Sequence, residues 1–459
     1  MSSSSRTRAL VAVVSLTAVL VPAVAAEAQT SGTRQTRVSS PPAANAPSDN
    51  TTFSQDNRVA ALMAFDSAAT NVVSGDDNGH RDVFLFSRNG GFSLSGKLSR
   101  VSVSSRGAEA NGDSVEPSID GDTKRSPRCV TFASTATNLA SGDRSRDSDV
   151  FLRDVRRRST TLVSVGKSNA RNAVVDGECE FVTFEASGSV WVRDLEDGKT
   201  HRIARGTDPD QQTSGKGVAY ARGGQIYYQA FQKLFNKGNP TVKRTARELL
   251  VSTGGKAGRG NGPSRHPAID DNGHYVAFES DATNLCRSLC KGISEDTNDA
   301  TDIFRRTISR KAPTRDTMQM ASFSYGNGDV PAQGNGPSNN PAMSGAGENV
   351  VYDSEATNLR QSADIAERNI DPNGPVRDVY YWNFPRRRGY GNVSRESRPG
   401  DELTRPEQVY NGPSTKPSAS SRANFVAFTS TQTGMSGETN GSAIPDVFQR
   451  FLGGGPADG

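Results

Sequence analysis

"CVTFASTATNLASGDRSRDSDVFLRD", residues 129 to 154, reads as a β-strand of small and aromatic residues, a polar loop, and a second strand entered through an aspartate. The arrangement recurs as "SAATNVVSGDDNGHRDVFLF" (67 to 86) and "YVAFESDATNLCRSLCKGISEDTNDATDIFRR" (275 to 306). It returns again as "VVYDSEATNLRQSADIAERNIDPNGPVRDVYYW" (350 to 382) and "FVAFTSTQTGMSGETNGSAIPDVFQRF" (425 to 451). Five copies make a repeat, and a repeat changes what every motif inside it means.

Each copy sits in a longer unit. Upstream lies a short Pro-led segment, "EPSID", "HPAID", "NPAMS" or "KPSAS", followed in several copies by a turn pair such as Asp120-Gly121 or Asn272-Gly273. Downstream lies a segment such as "LSRVSVSS", "TTLVSVG" or "ELLVSTG", which makes four strands per unit. Two weaker units, 177 to 205 and 215 to 231, keep the middle strands but join them by Ser187-Gly188 or Gly223-Gly224, turns that use glycine's φ freedom. The last unit stops after its third strand, and "RQTRVSS" (34 to 40) resembles a missing fourth. The expected fold is therefore all-β: a seven-bladed β-propeller of four-stranded blades, its ring closed by an N-terminal strand that completes the last blade. The expected boundaries are a segment at 29–50 containing the closing strand, the propeller at 51–452, and a Gly-rich tail at 453–459.

The first residues read as a signal peptide, 1–28: Arg6 and Arg8 precede an apolar run, and Ala26-Glu27-Ala28 suits a signal peptidase. The apolar run is short for a membrane span and no later stretch is comparably apolar, so the expectation is a secreted, periplasmic or cell-envelope protein, monomeric and without a membrane span. The remaining chain carries 52 basic and 49 acidic residues, too balanced for a nucleic-acid partner.

The Pro-led strand, the Asp-Gly turn, Ala-Phe-x-Ser and the later Asp-Val-Phe resemble the WD-like repeats of the TolB-type propellers, exported bacterial proteins. The Ser-x-Ala-Thr-Asn-Leu variant at Ser134–Leu139, Ser280–Leu285 and Ser354–Leu359 is similar to a branch found in secreted actinobacterial proteins. The resemblance implies fold rather than function. TolB also has a separate N-terminal α/β domain, for which residues 29–50 leave no room.

Two chemistries compete for the Asp/Asn loops. The last aspartate of each copy (Asp82, Asp149, Asp302, Asp378, Asp446) either accepts N–H bonds at a loop-to-strand junction or helps to hold Ca²⁺, with Asp76, Asp143, Asp296, Asp371 or Glu438 upstream. The best metal candidates are Asp76, Asn78 and Asp82 in the first copy and Asp296, Asn298 and Asp302 in the fifth. No other cofactor is expected. Four cysteines in an exported chain favour disulfides, Cys129–Cys179 between neighbouring blades and Cys286–Cys290 within one loop, with free buried thiols as the alternative. His80, His201, His266 and His274 fall at unrelated repeat positions, and no hydrolase elbow or His-Glu-x-x-His pair is present, so no catalytic residue is assigned. The strand aromatics Phe84, Phe151, Trp191, Phe304, Tyr380, Trp382 and Phe448 are expected in the core, and Arg156–Arg158 and Arg386–Arg388 on one rim.

Loops between second and third strands share one face with the blade connectors "GNGPSRHP" (260 to 267), "GNGPSNNP" (334 to 341) and "YNGPSTKP" (410 to 417). The expected function is a binding or scaffold module for a protein or polysaccharide partner in the envelope, contacted through loops 281–301 and 355–377. The alternative is an envelope lyase or hydrolase, which needs His, Arg and carboxylate groups converging at the central pocket.

Overall fold

The computed structural model describes residues 34–452 except 40–42, 57–59, 122–125, 144, 237–238, 245–246, 255–257, 287–289, 291–295, 309–317, 326–330, 360–373, 385–391, 398–411, 433–434 and 436–443. The expected signal peptide, the Gly-rich tail, Arg386–Arg388, Asp371, Glu438, residues 287–289 and 291–295 of loop 281–301, and residues 360–373 of loop 355–377 lie outside these residues.

Seven antiparallel blades follow one another along the chain. Blade 1 is Ser48–Phe53, Leu62–Ser67, Asp82–Arg88 and Gly96–Arg100; blade 2 is Ser114–Ile119, Cys129–Ser134, Asp149–Asp154 and Ser159–Leu162. Blade 3 is Arg171–Val175, Phe181–Ala186, Ser189–Asp194 and Thr200–Arg205. In blade 4, Thr207–Gln211 and Gly217–Arg222 lead to a long third strand, Gln225–Asn236, which pairs with Leu249–Leu250 and then, farther along, with an extra strand, Asn239–Arg244. Blade 5 is Ser264–Ile269, Tyr275–Ser280, Asp302–Thr307 and Met318–Met320; blade 6 is Ser338–Met343, Asn349–Ser354, Asp378–Asn383 and Asn392–Arg395. Blade 7 is Ser414–Ala419, Phe425–Ser430 and Asp446–Phe451, and its fourth strand is Arg34–Arg37, with Arg34 opposite Phe451 and Arg37 opposite Phe448. The ring thus closes through the N-terminal strand, which is shorter than the 34–40 expected. The first blade begins at Ser48, inside the segment expected to precede it. The strand opens on polar Ser48 and Asp49, which carry no strand pattern of their own.

Second and third strands carry the core. Phe65 faces Phe84, Phe132 faces Phe151, Phe278 faces Phe304, Tyr352 faces Tyr380 and Phe428 faces Phe448, each pair in register and stacked with ring centroids 5.7–6.2 Å apart. Such pairs each add about 0.5–1.5 kcal/mol beyond the apolar area they bury. Trp382 is also buried, whereas Trp191 is only half-buried, with Lys167 Nζ 4.1 Å from its ring centroid.

The repeat's polar motifs turn out to be joints. In blade 5, Asn261 of the connector donates Nδ2 to Thr283 Oγ1 (2.9 Å) and accepts the Thr283 N–H (2.9 Å). Asn284 returns the exchange by accepting the Asn261 N–H (3.0 Å) and donating to the Arg259 carbonyl (2.8 Å). Asn111 with Thr137–Asn138 and Asn335 with Thr357–Asn358 repeat this exchange. Asn-Gly-Pro-Ser in the connector and Ala-Thr-Asn-Leu in the loop are therefore two halves of one hydrogen-bonded clamp, and those connector residues are held against the blade.

The turn aspartates are joints too. Asp120, Asp176 and Asp270 each accept two backbone N–H bonds of 2.6–2.9 Å from the residues that start the second strand. Burial pushes the Asp176 carboxyl up to about 7 and those of Asp120 and Asp270 up to about 6. A carboxyl whose folded pKa exceeds its unfolded value, about 3.9, contributes stability that is full below the unfolded value and lost as pH rises through the folded one. Urea midpoints are accordingly expected to fall between about pH 4 and pH 7, and Asp176→Asn, whose amide oxygen still accepts both N–H bonds, to flatten that fall. Equal pH slopes in the two proteins would contradict this assignment.

Candidate functional site

The first strands line a central cavity of about 520 Å³. One end is narrowed by the turns that join first to second strands, which hydrogen-bond from blade to blade: Gly121 to Gly177, Gly177 to Thr213, Ser214 to Asp271, Asp271 to Gly345, and Gly345 to Ser421. Gly345 sits tightly in this belt, because a Cβ there would force the Asp271 and Ser421 side chains to move.

Nearer the opposite face, every first strand bulges at its third residue or, in blades 3 and 4, its second. The bulge residues Asn50, Glu116, Asn172, Asp208, His266, Asn340 and Lys416 all have φ between 47° and 56°, and all line the cavity. Each bulge shifts the register against the second strand, as between Arg265 and Ala268 in blade 5. Left-handed backbone at non-glycine residues is uncommon and needs compensation from its surroundings. In six of the seven the compensation is a carboxylate from the preceding blade; blade 7 has Thr429 at the position that would serve Asn50. Asp66 accepts the Glu116 N–H (3.0 Å), Glu185 that of Asp208 (2.5 Å), Glu279 that of Asn340 (2.9 Å) and Asp353 that of Lys416 (2.9 Å). These four acids occupy the same position of the second strand. Blades 2 and 4 have Ala133 and Ala221 there, and the acid comes instead from the bulge residue itself: Glu116 accepts the Asn172 N–H (3.0 Å) and Asp208 that of His266 (2.9 Å). Glu116 and Asp208 are thereby committed to the ring.

The mouth is consequently ringed by three amides, two acids, a lysine and a histidine. His266 Nδ1 lies 3.1 Å from Glu279, and that hydrogen bond, against the effect of burial, raises the imidazole pKa. Burial alone would raise Glu279, but the hydrogen bond from His266 and its positive charge outweigh it and bring the carboxyl down. Arg265 donates to Glu279 (2.9 Å) and Asp281 (3.1 Å), and Lys416 Nζ bonds Asp49 and Asn50. His80, His201 and His274 do not join His266 in this ring. Sequence patterns placed no function on it, since its residues differ from blade to blade. The available signal was position: five of the seven immediately precede the proline that leads each unit.

The loops between second and third strands open on the same face as the connectors to which they are clamped. In blades 3 and 4 they are the tight turns Ser187-Gly188 and Gly223-Gly224, while blades 1 and 2 carry the long loops 68–81 and 135–148. Of the residues expected to hold Ca²⁺, those of blade 1 come together around an arginine. Arg100 Nη1 is 2.8 Å from Asp76 and 3.2 Å from Asp82, and its Nη2 bonds Glu109 (2.5 Å) and the Gly75 carbonyl (2.9 Å). The cation between Asp76 and Asp82 is thus a guanidinium. Asn78 turns its Nδ2 to Asp82 (2.7 Å), so it braces the loop. In blade 5, Asp296, Asn298 and Asp302 also come together, and burial, with the Asp296 charge adding to it, pushes Asp302 up to about 8.

Both disulfides are formed, Cys129–Cys179 and Cys286–Cys290, and no described cysteine is free. Cys129 begins the second strand of blade 2, whereas Cys179 sits in the turn before the equivalent strand of blade 3, at φ 54°. Asp120 lies beside these two sulfurs, but thiols joined in a disulfide are not metal ligands.

No protein-family model and no curated protein matches this chain. Among solved structures it is similar to TolB from Acinetobacter baumannii, at 11% identity and a TM-score of 0.32 over 67% of this chain and 61% of that one. It is similar to the β-propeller domain of the Trilobed protease from Pyrococcus furiosus, at 7% identity and a TM-score of 0.43 over 87% and 95%. A Pyrococcus horikoshii acylaminoacyl peptidase matches at 10% and 0.42 over 83% and 49%. The chain therefore spans about three fifths of the TolB structure and about half of the peptidase. The propeller assignment rests on the strand pairing described above.

Proposed function

We propose that this protein is an exported binding module of the secreted TolB-like kind, which seats a polypeptide partner at the polar mouth of its propeller. The observation that carries the reading is the ring of seven left-handed bulges, which presents alternating amide, acid and cationic side chains around a cavity of about 520 Å³. Rigid, convergent hydrogen-bonding groups suit a polar chain segment. A polysaccharide is less well served, because sugar rings stack on exposed aromatic faces and, among the described residues, the only Phe, Tyr or Trp lining this cavity is Phe53, which is buried. Export accords with the two disulfides.

The test uses glycine, which is at ease at positive φ, so Asn50→Gly, Asn172→Gly and Asn340→Gly together remove three side chains while keeping the backbone. Asn50 and Asn340 also donate Nδ2 to the buried Asp66 (2.7 Å) and Asp353 (2.8 Å), so the triple variant is expected to melt below the parent while still folding, and to bind a partner recovered from the producing cell's envelope at least about tenfold more weakly, a loss of about 1.4 kcal/mol. Undiminished binding of every recovered partner would reject the mouth as the contact, and partners that prove to be glycans would reject the polypeptide.

A second reading, an envelope lyase or hydrolase, draws on the meeting of His266, Glu279 and Arg265 at the mouth. It is the weaker one, because the nearby acids Asp208 and Glu279 already hold backbone N–H groups of the ring.

A further inference from the structure

The loops that enter the third strands of blades 1 and 5 are built alike. Asn78 and Asn298 each donate Nδ2 to the junction aspartate, at 2.7 Å to Asp82 and 3.0 Å to Asp302. Each also donates to a connector carbonyl, Ala110 (3.1 Å) or Gly334 (2.8 Å), and accepts an N–H from two residues on, His80 (2.9 Å) or Ala300 (3.0 Å). Ser102 and Ser322 supply a hydroxyl to the other oxygen of the junction aspartate.

The two loops differ in what neutralises the acids. In blade 1 the residue opposite Phe84 is Arg100, which bridges Asp76, Asp82 and Glu109. In blade 5 the residue opposite Phe304 is Met320, and Gln333 stands where blade 1 has Glu109. The arginine and one of its acids are gone, yet Asp296 and Asp302 remain, only 6% and 0% exposed. Among the described residues Asp296 Oδ2 has no hydrogen-bond partner, although its counterpart Asp76 meets the guanidinium. Blades 6 and 7 keep the arginine: Arg395 lies 3.3 Å from Asp378 and Arg37 lies 3.2 Å from Asp446.

Burying carboxylates without a counter-charge is unfavourable, and where blades 1, 6 and 7 use a guanidinium, blade 5 offers only a thioether. We propose that blade 5 binds a Ca²⁺ ion in the place that Arg100 fills in blade 1, with the Asp296 and Asp302 carboxylates as its protein ligands. Hard oxygen donors suit Ca²⁺, and no thiolate or imidazole is present in the pair to favour a transition metal. Asn298, bonded to Asp302, is an outer-shell brace that orients the ligand. The bound ion joins the loop before the third strand to the blade, on the face that carries the connectors. This inference is independent of the partner proposed above.

Equilibrium dialysis of the chelator-treated protein against CaCl₂ alone tests it. The expected result is one Ca²⁺ that is lost or weakened at least about tenfold in Asp296→Asn and in Met320→Arg, with dissociation constants in the sub-millimolar to millimolar range of extracellular sites. Met320→Arg supplies the guanidinium used in blade 1, so its melting midpoint is expected to match or exceed that of the calcium-free parent and to be insensitive to Ca²⁺. The parent's midpoint is expected to rise with Ca²⁺. No binding by the parent at about 5 mM Ca²⁺, above the range of such sites, would overturn the proposal. So would a stoichiometry unchanged in whichever of the two variants folds.

Discussion

Replacing Cys129 and Cys179 together by alanine is expected to lower the unfolding free energy by about 4 kcal/mol, the larger of the two disulfide effects. The bridge spans 50 residues, and in the chain-entropy account a loop of that size restricts the unfolded ensemble by about that amount. The Cys286–Cys290 bridge spans only 4 residues, so the same account assigns it about 2 kcal/mol. The longer bridge also ties blade 2 to blade 3 at a buried position, since Cys129 is 0% exposed. Alanine avoids burying a new hydroxyl there. Urea titrations of the two double variants beside the parent decide the matter. Equal losses, or a larger loss from the short loop, would show that native-state contacts around the sulfurs outweigh chain entropy.

The second large effect concerns ring closure. A chain beginning at residue 41 is expected to lose at least about 3–5 kcal/mol relative to one beginning at residue 29, because it breaks a buried ion pair from one side. Arg37 Nε lies 3.2 Å from Asp446, their side chains 5% and 2% exposed, and Ser39 donates to the same aspartate at 2.8 Å. Removing both leaves Asp446 buried with neither, uncovers the pairing edge of Asp446–Phe451, and takes buried Val38 out of the core that contains Phe425 and Val447. A loss of that size is a large share of a domain's total stability, and an open edge invites association with other chains. Thermal melts and light scattering should show a lower midpoint and aggregation, both reversed by adding a peptide of residues 29–40. An unchanged midpoint in the shortened chain would mean that the strand does not hold the ring.

The blade repeat was legible because it is written locally. Alternation in "CVTFAS", the Gly turns and the Asp-Val-Phe entry are properties of neighbouring residues, and their recurrence counted the blades. The same locality explains the misses. Blade 4's extension through Asn239–Arg244 interrupts the period and lies beyond the unit at 215 to 231 that the repeat marks. The Asp76, Asn78 and Asp82 cluster also takes in Arg100, which lies on the fourth strand of the blade and outside the motif. His266 looked scattered among four histidines because its equivalents are Asn, Glu, Asp and Lys; what they share is a backbone bulge, which side-chain identity does not encode.

By itself, then, the sequence determined the all-β class, the seven blades, the closing strand and which cysteines could meet, since each follows from short-range pattern and its period. Only the tertiary structure decided what those patterns hold. The carboxylates that cap six of the seven bulges come from the neighbouring blade, some 50 to 63 residues away in the examples of Glu116 and Lys416, and whether a buried aspartate meets a guanidinium or a methionine depends on the strand folded beside it. Such contacts lie between repeats and between strands, where burial makes an uncompensated charge unfavourable, and periodicity along the chain carries no record of them.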